Sequence, residues 1–254
     1  MVGYLSSYNS VGRLFAESET ILSRAKHSRT MRKAGNIFSP HASRIVRVLL
    51  VHPEKTWTIK GLSKEAEVSI GFTHAVVTSL VEQGHAYKDD SNRVRTSDPM
   101  RLIRRWAAYH NYTSVNRFLH YHTFDRAIED TLSKMRNVSD MEYALTALAG
   151  AYVVAPFVRP TNLHFYVKEE KQAKTWVKLL ELRPTESGGN VSMVLPYDAG
   201  VLYGVREIHG LKVVSTVQLY VDLFNYPARG EEASEILLKG PLTKQWDLRR
   251  ARHT

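Results

Sequence analysis

The sequence predicts an α+β fold, an N-terminal winged helix-turn-helix domain followed by a mixed α/β C-terminal domain. Three observations point there. Residues 40 to 96 show, in order, the patterns of a helix, a short strand, a helix, a turn, a helix and a hairpin, the order of a winged helix-turn-helix. Beyond residue 140, short apolar strand-like runs are mixed with amphipathic helix-like ones. Positive charge gathers at the start of the chain, where Arg13, Arg24, Lys26, Arg29, Arg32, Lys33, Arg44 and Arg47 face only Glu17 and Glu19. The expected division is a basic helical arm over 1–36, the winged helix-turn-helix over 37–110, a helical connector over 111–140 and an α/β domain over 141–254.

Each element has its own reason. Residues 11 to 34 can form a helix with Leu14, Phe15, Ile21, Leu22 and Ala25 on its apolar side, ended by Gly35 and Pro40. From Pro40, the stripe Ile45, Val46, Leu49 and Leu50 suits a helix with one buried face, and Pro53 stops it. Trp57 and Ile59 alternate as a strand does, and Lys60 to Ala66 reads as a brief helix. Ser69 is a good cap for a helix over Ile70 to Gln83, with Gly84 just past its end. "HAYKDDSNRVRTS" has hairpin chemistry around Asp89 to Asn92. "PMRLIRRWAAY" continues as a helix, and Val115 to Arg136 reads as another, with Phe118, Leu119, Ile128, Leu132 and Met135 as its apolar set. Ser139 or Asp140 would cap the next helix, "NLHFYV", "NVSMVLP" and "GLKVVS" read as strands, and "KEEKQAKTWVKLL" reads as a helix.

A recognition helix normally meets the major groove with its first residues, and arginine to guanine is the commonest specific contact. Here the outward positions include Ser69, Gly71, Phe72, His74 and Ala75, none permanently charged. Phosphate contacts are therefore expected from Lys60 and Lys64 on the preceding helix and from Lys88, Arg93 and Arg95 on the wing. Binding to double-stranded DNA would be largely electrostatic and steeply salt-dependent, and a homodimer on two half-sites would sharpen its specificity.

The most distinctive stretch is "VVSTVQLYVDLFNYPARGEEASEILL". Ser215 and Gln218 fit a capping box. Pro227 and Gly230 force a corner, and Glu231 and Glu232 fall in the first turn of the next helix, where negative charge suits the dipole. A packing corner held by a charge-assisted bond from Arg229 or Asp222 accounts for all of it.

Together, "NIFSPHASRIVRVLLVHP", "TWTIKGLSKEAEVSIGFTHAVVTSLVEQG", "YALTALAGAYVVAPFVRP" and "VQLYVDLFNYPARGEEASEIL" resemble the winged-helix regulators of type IV toxin-antitoxin systems, the AbiE-type antitoxin family. The resemblance runs from about Asn36 to Leu238. It implies a DNA-binding domain that represses its own operon and a C-terminal domain that counters a nucleotidyltransferase toxin without necessarily binding it. The recognition-helix role then falls on Ser69, Gly71, Phe72, His74 and Ala75, and the wing role on Lys88, Arg93 and Arg95.

Other functions find less support. No run approaches the roughly 20 apolar residues of a membrane span, and the first residues lack a signal-peptide core, so a cytoplasmic protein with no membrane partner is expected. The 254 residues carry a formal charge of +10 and contain no cysteine, so neither disulfides nor thiolate ligands enter. Neither a Walker A loop nor a G-x-S-x-G elbow occurs, no cofactor is implied, and an enzyme is not expected. His120, His122 and Asp125 are metal-ligand types, but on a helix the two histidines would point apart. Glu169 and Lys171 supply half of a metal-dependent nuclease site, for which Asp140 or Glu142 would have to reach across. The remaining alternative is a winged helix used as a protein-interaction scaffold.

Overall fold

The computed structural model describes residues 35–136, 138–156 and 159–251; the helix expected over 11 to 34 and its basic side chains lie outside them. Helix α1 (Pro40–Val51) begins on a proline and buries Ile45, Val46, Leu49 and Leu50 as its apolar stripe requires. Thr58 caps α2 (Ile59–Glu65), accepting a hydrogen bond from the Gly61 amide at 3.0 Å. Ser69 caps α3 (Ile70–Glu82) through the Phe72 amide at 3.2 Å. The strand expected at Trp57 is a single rung: its N–H and C=O pair with Val94 at 2.8 and 2.7 Å, and Ile59 already opens α2. Strands β1 (Ala86–Lys88) and β2 (Val94–Thr96) form the antiparallel hairpin, with Tyr87 opposite Arg95. At its turn the Asp89 carboxylate accepts from the amides of Ser91 and Arg93, and Asn92 takes the left-handed conformation that asparagine tolerates. Asp98 and Pro99 start α4 (Pro99–Tyr109), which turns Leu102, Ile103 and Trp106 inward.

The expected helix over Val115 to Arg136 gives way to three elements: α5 (Tyr112–Val115), β3 (Arg117–His122) and α6 (Ile128–Met135). "RFLHYH" is rich in aromatic residues that suit a pleated sheet, and its pairing with distant strands decides between two periods that a short apolar run leaves ambiguous. The helix expected after Asp140 is first a strand, β4 (Tyr143–Thr146), buried at every position; α7 (Ala147–Val154) follows only after Ala147 turns the chain at φ +50°. The remaining strands and α-helices are β5 (Leu163–Val167), α8 (Ala173–Leu179), β6 (Arg183–Pro184), β7 (Val191–Leu195), β8 (Arg206–Ile208), β9 (Leu211–Val213), α9 (Thr216–Phe224), α10 (Gly230–Leu237) and α11 (Thr243–Ala251).

Seven strands form one mixed sheet in the order β6-β3-β7-β5-β4-β9-β8. Alternation along β4 and β5 gives the sheet two faces. On one face Tyr143 and Phe165 pack against Trp176 of α8, each with ring centroids 5.0 Å from it. On the other, Thr146 and Tyr166 meet α9 through Asp222. Helix α9 belongs to two hydrophobic cores at once: Leu219 and Leu223 join the sheet core, while Val217, Tyr220 and Val221 join the core of α1, α3 and α4. Eight of its nine residues are buried.

Candidate nucleic-acid interface

The residues expected to face DNA are carried by α2, by the first turns of α3 and by the hairpin. Lys60 and Lys64 on α2 are exposed, as are Lys88 and Arg93 on the hairpin. Gly71 is exposed with open space around the position of a Cβ, so the chain can approach a ligand closely at the first turn of α3. The other positions carry prior commitments. The Ser69 hydroxyl is engaged as the helix cap. Phe72 is half-buried and packs against the core of α1, α3 and α4. His74 lies half-buried with Nδ1 3.4 Å from the Thr78 hydroxyl, and Ala75 is half-buried beside it. Arg95 is half-buried, and its Nε donates to the Pro53 carbonyl at 3.1 Å.

One basic residue near this surface escaped the sequence reading. Lys55 is exposed and sits over the Trp57 ring, 5.4 Å from its centroid, beside the rung that joins the hairpin. Its signal was slight: a single lysine in a turn after Pro53.

Arg47 shows the opposite outcome. Counted with the basic excess of the chain start, it is fully buried on α1. It shares a stripe with Ser43 and Leu50, at spacings of four and three, and that was the readable sign of an inward-pointing charge. Its Nε donates to Gln218 Oε1 at 2.9 Å, its Nη2 to the Tyr197 hydroxyl at 3.1 Å, and its guanidinium lies 5.0 Å from the Trp106 ring centroid. One turn earlier, Arg44 makes a two-pronged ion pair with Asp198 at 2.7 and 2.9 Å.

The C-terminal signature meets Arg47 from the other side. The Ser215 hydroxyl accepts from the Gln218 amide at 3.2 Å as a cap should. The second half of the expected capping box is absent, because the Gln218 side chain turns inward and donates to Asp222 Oδ1 at 2.7 Å. Asp222, also fully buried, accepts from Thr146 at 2.6 Å and Tyr166 at 3.0 Å on its other oxygen, and His110 Nε2 lies 3.3 Å from its first. Burial, aided by the Asp222 charge, raises the Tyr166 phenol well above its ordinary value, so it remains a neutral donor. Arg229 pairs with Glu232 at 2.7 and 2.6 Å on the surface, and Glu231 and Glu232 lie in the first turn of α10 as expected. Gly230 makes the corner possible: a Cβ there would fall 2.5 Å from the Leu223 carbonyl oxygen.

The residues weighed for catalysis are spread over surface ion pairs. Glu169 pairs with Lys171, whose hydrogen bond holds that carboxyl below its usual range, and Glu142 pairs with Lys168 at 2.7 Å. His120 and His122 stand on β3 rather than on a helix, so they share a face, contrary to the expected divergence. His120 is hydrogen-bonding distance from the Ser192 hydroxyl, His122 packs against Phe124, and Asp125 is engaged by Thr131 and Lys134. Among the described residues no cluster of three or more His, Asp or Glu side chains is arranged to hold a metal ion, and no helix is long and apolar enough to cross a membrane.

No curated protein and no solved structure matches the chain. A family model does match, over residues 95–242, from strand β2 of the hairpin through the buried signature of α9 and α10; its description is transcriptional regulator, AbiEi antitoxin, type IV toxin-antitoxin system. That match covers more than half of the 254 residues, and the chain belongs to this family of regulators and antitoxins.

Proposed function

We propose that the protein binds double-stranded DNA and represses its own operon as the antitoxin of a type IV system, acting in the cytoplasm and without a cofactor or catalytic site. Residues 37–110 carry the DNA-binding role, and the antitoxin role belongs to the sheet domain, which takes in β3 and α6 from the stretch 111–140 expected as a connector as well as residues 141–254; it counters a nucleotidyltransferase toxin without needing to contact it. The observation that carries the reading is the placement of exposed cations on both sides of α3: Lys60 and Lys64 before it, Lys88 and Arg93 on the hairpin after it. Exposed lysine and arginine before and after a neutral helix, interspersed with acidic residues, suit a binder whose affinity comes from a few phosphate contacts and whose discrimination comes from few base contacts. Gly71 and His74 are the base-facing positions, Phe72 and Ser69 support the helix start, and a homodimer on two half-sites supplies the remaining specificity.

The wing is tested by Lys88→Ala with Arg93→Ala. Losing two phosphate contacts should weaken binding about equally across sequences and lower the slope of log affinity against log salt by roughly 2. Arg95→Ala should do less, because its Nε already serves the Pro53 carbonyl, whereas His74→Ala should reduce promoter affinity more than affinity for a scrambled duplex. Equal binding by the wing double variant and the parent at low salt would remove the wing from the interface. A protein-interaction scaffold would show no salt-sensitive affinity for duplex DNA in the first place.

A further inference from the structure

Arg47 and Asp222 are a fully buried cation and a fully buried anion that are joined through the Gln218 side chain. The polarity of this chain is dictated at one end. A guanidinium has only donors, so Gln218 must turn its oxygen to Arg47; its NH2 then faces residue 222, which must accept. The other Asp222 oxygen accepts from Thr146 on β4 and Tyr166 on β5. A directed run of hydrogen bonds therefore extends from α1, in the helical core, through α9, to the centre of the sheet. Around it, apolar side chains can slide past one another, whereas buried polar groups lose their partners if they shift. The loop before β8 strengthens the connection: Tyr197 accepts from Arg47, Asp198 grips Arg44, and a Cβ at Gly200 would lie 2.8 Å from both Arg44 Cγ and Arg47 Nη1.

We propose that Arg47, Gln218 and Asp222 are positioning residues that transmit the state of the C-terminal sheet to the DNA-facing helices. A partner that shifts β4 or β5 moves Asp222, Gln218 follows, and α1 reorients α2 and α3. Coupling of this kind is reciprocal, so DNA binding also biases the sheet. The functional consequence rests on the DNA-binding reading; the mechanical connection does not.

The chain has no cysteine, so cysteines introduced at Asp90 on the hairpin and Lys174 on α8, both exposed, will carry the only nitroxide labels for a pulsed distance measurement on the full chain. The unsubstituted relay should give one narrow distribution. Gln218→Leu should at least double its width and weaken promoter affinity about tenfold while leaving the salt slope unchanged, because no phosphate contact is lost. A folded Gln218→Leu protein with the original width overturns the proposal. Should that variant fail to fold, Thr146→Val removes a hydroxyl from the relay and Tyr197→Phe one from the loop that braces Arg47, and each should also widen the distribution; unchanged width in both overturns it equally. A parent that binds no duplex would defeat the DNA-binding reading, while the distance measurement would still decide the relay.

Discussion

Asp222→Ala is expected to destabilise the protein by about 3 to 5 kcal/mol, the range for removing one member of a buried charged network. The side chain is fully buried and satisfies donors from Gln218, Thr146 and Tyr166. Truncation leaves those groups without an acceptor and leaves the Arg47 cation without the anion that balances it in the interior. Asp222→Asn should also be costly despite its shape. Its NH2 would oppose either the Gln218 amide or the two hydroxyls, and turning Gln218 around would set a second NH2 against Arg47. Only the hydroxyls can rotate to accept, so the asparagine variant should fall between parent and alanine. Equilibrium unfolding in urea measures all three; an alanine variant within about 1 kcal/mol of the parent, the size of an ordinary substitution, would show that the network carries little of the fold.

Acid should weaken the fold before carboxylates account for it. Burial, with the His120 ring as a lesser cause, pushes His164 down to about 4, while an exposed imidazole titrates near roughly 6.5. Its Nδ1 lies 3.1 Å from the buried Tyr112 hydroxyl and its ring packs among Tyr112, Phe118 and Tyr226. Above about pH 6.5 the ring is neutral in both states and contributes no pH dependence. Between there and about 4 the unfolded chain binds a proton that the folded protein refuses, so stability falls as pH falls. The full loss, reached below the folded value, is about 3 kcal/mol. His85 adds in the same direction, lowered by burial and by Arg105 and Arg101. Unfolding free energies between pH 7 and pH 4 should show this decline, and His164→Phe, which keeps the ring packing, should flatten it. Parallel curves for variant and parent would contradict the assignment.

Local signals were legible where the chain punctuates itself. Ser69, Gly84, Asp89 and Pro99 fix the helix starts, ends and turn of residues 40 to 109 by their own chemistry, and the structure places them in those roles. The strands β3 and β4 were not legible, because "RFLHYH" and "YALT" are too short for their period to decide, and pairing with strands distant in sequence settles them. The residues proposed to face DNA were readable as residue types, but not the commitments of Arg95 and Ser69, which depend on Pro53 and Phe72. Composition counts Arg47 as surface charge; its role follows only from partners 150 and 171 positions away. Gln218 and Asp222, four apart on one helix, were singled out as part of a corner, and their inward partners became visible only with α1 and the sheet in place.

On the proposed reading, exposed cations before and after α3 hold a duplex while a few groups on α3 select its sequence. The most direct measurement is a titration of the 254-residue chain with its own upstream promoter fragment and with a scrambled duplex of equal length, at several salt concentrations. Affinity should fall steeply with salt for both, with a preference for the promoter that persists near physiological ionic strength. Absence of binding to either duplex at low salt would contradict it.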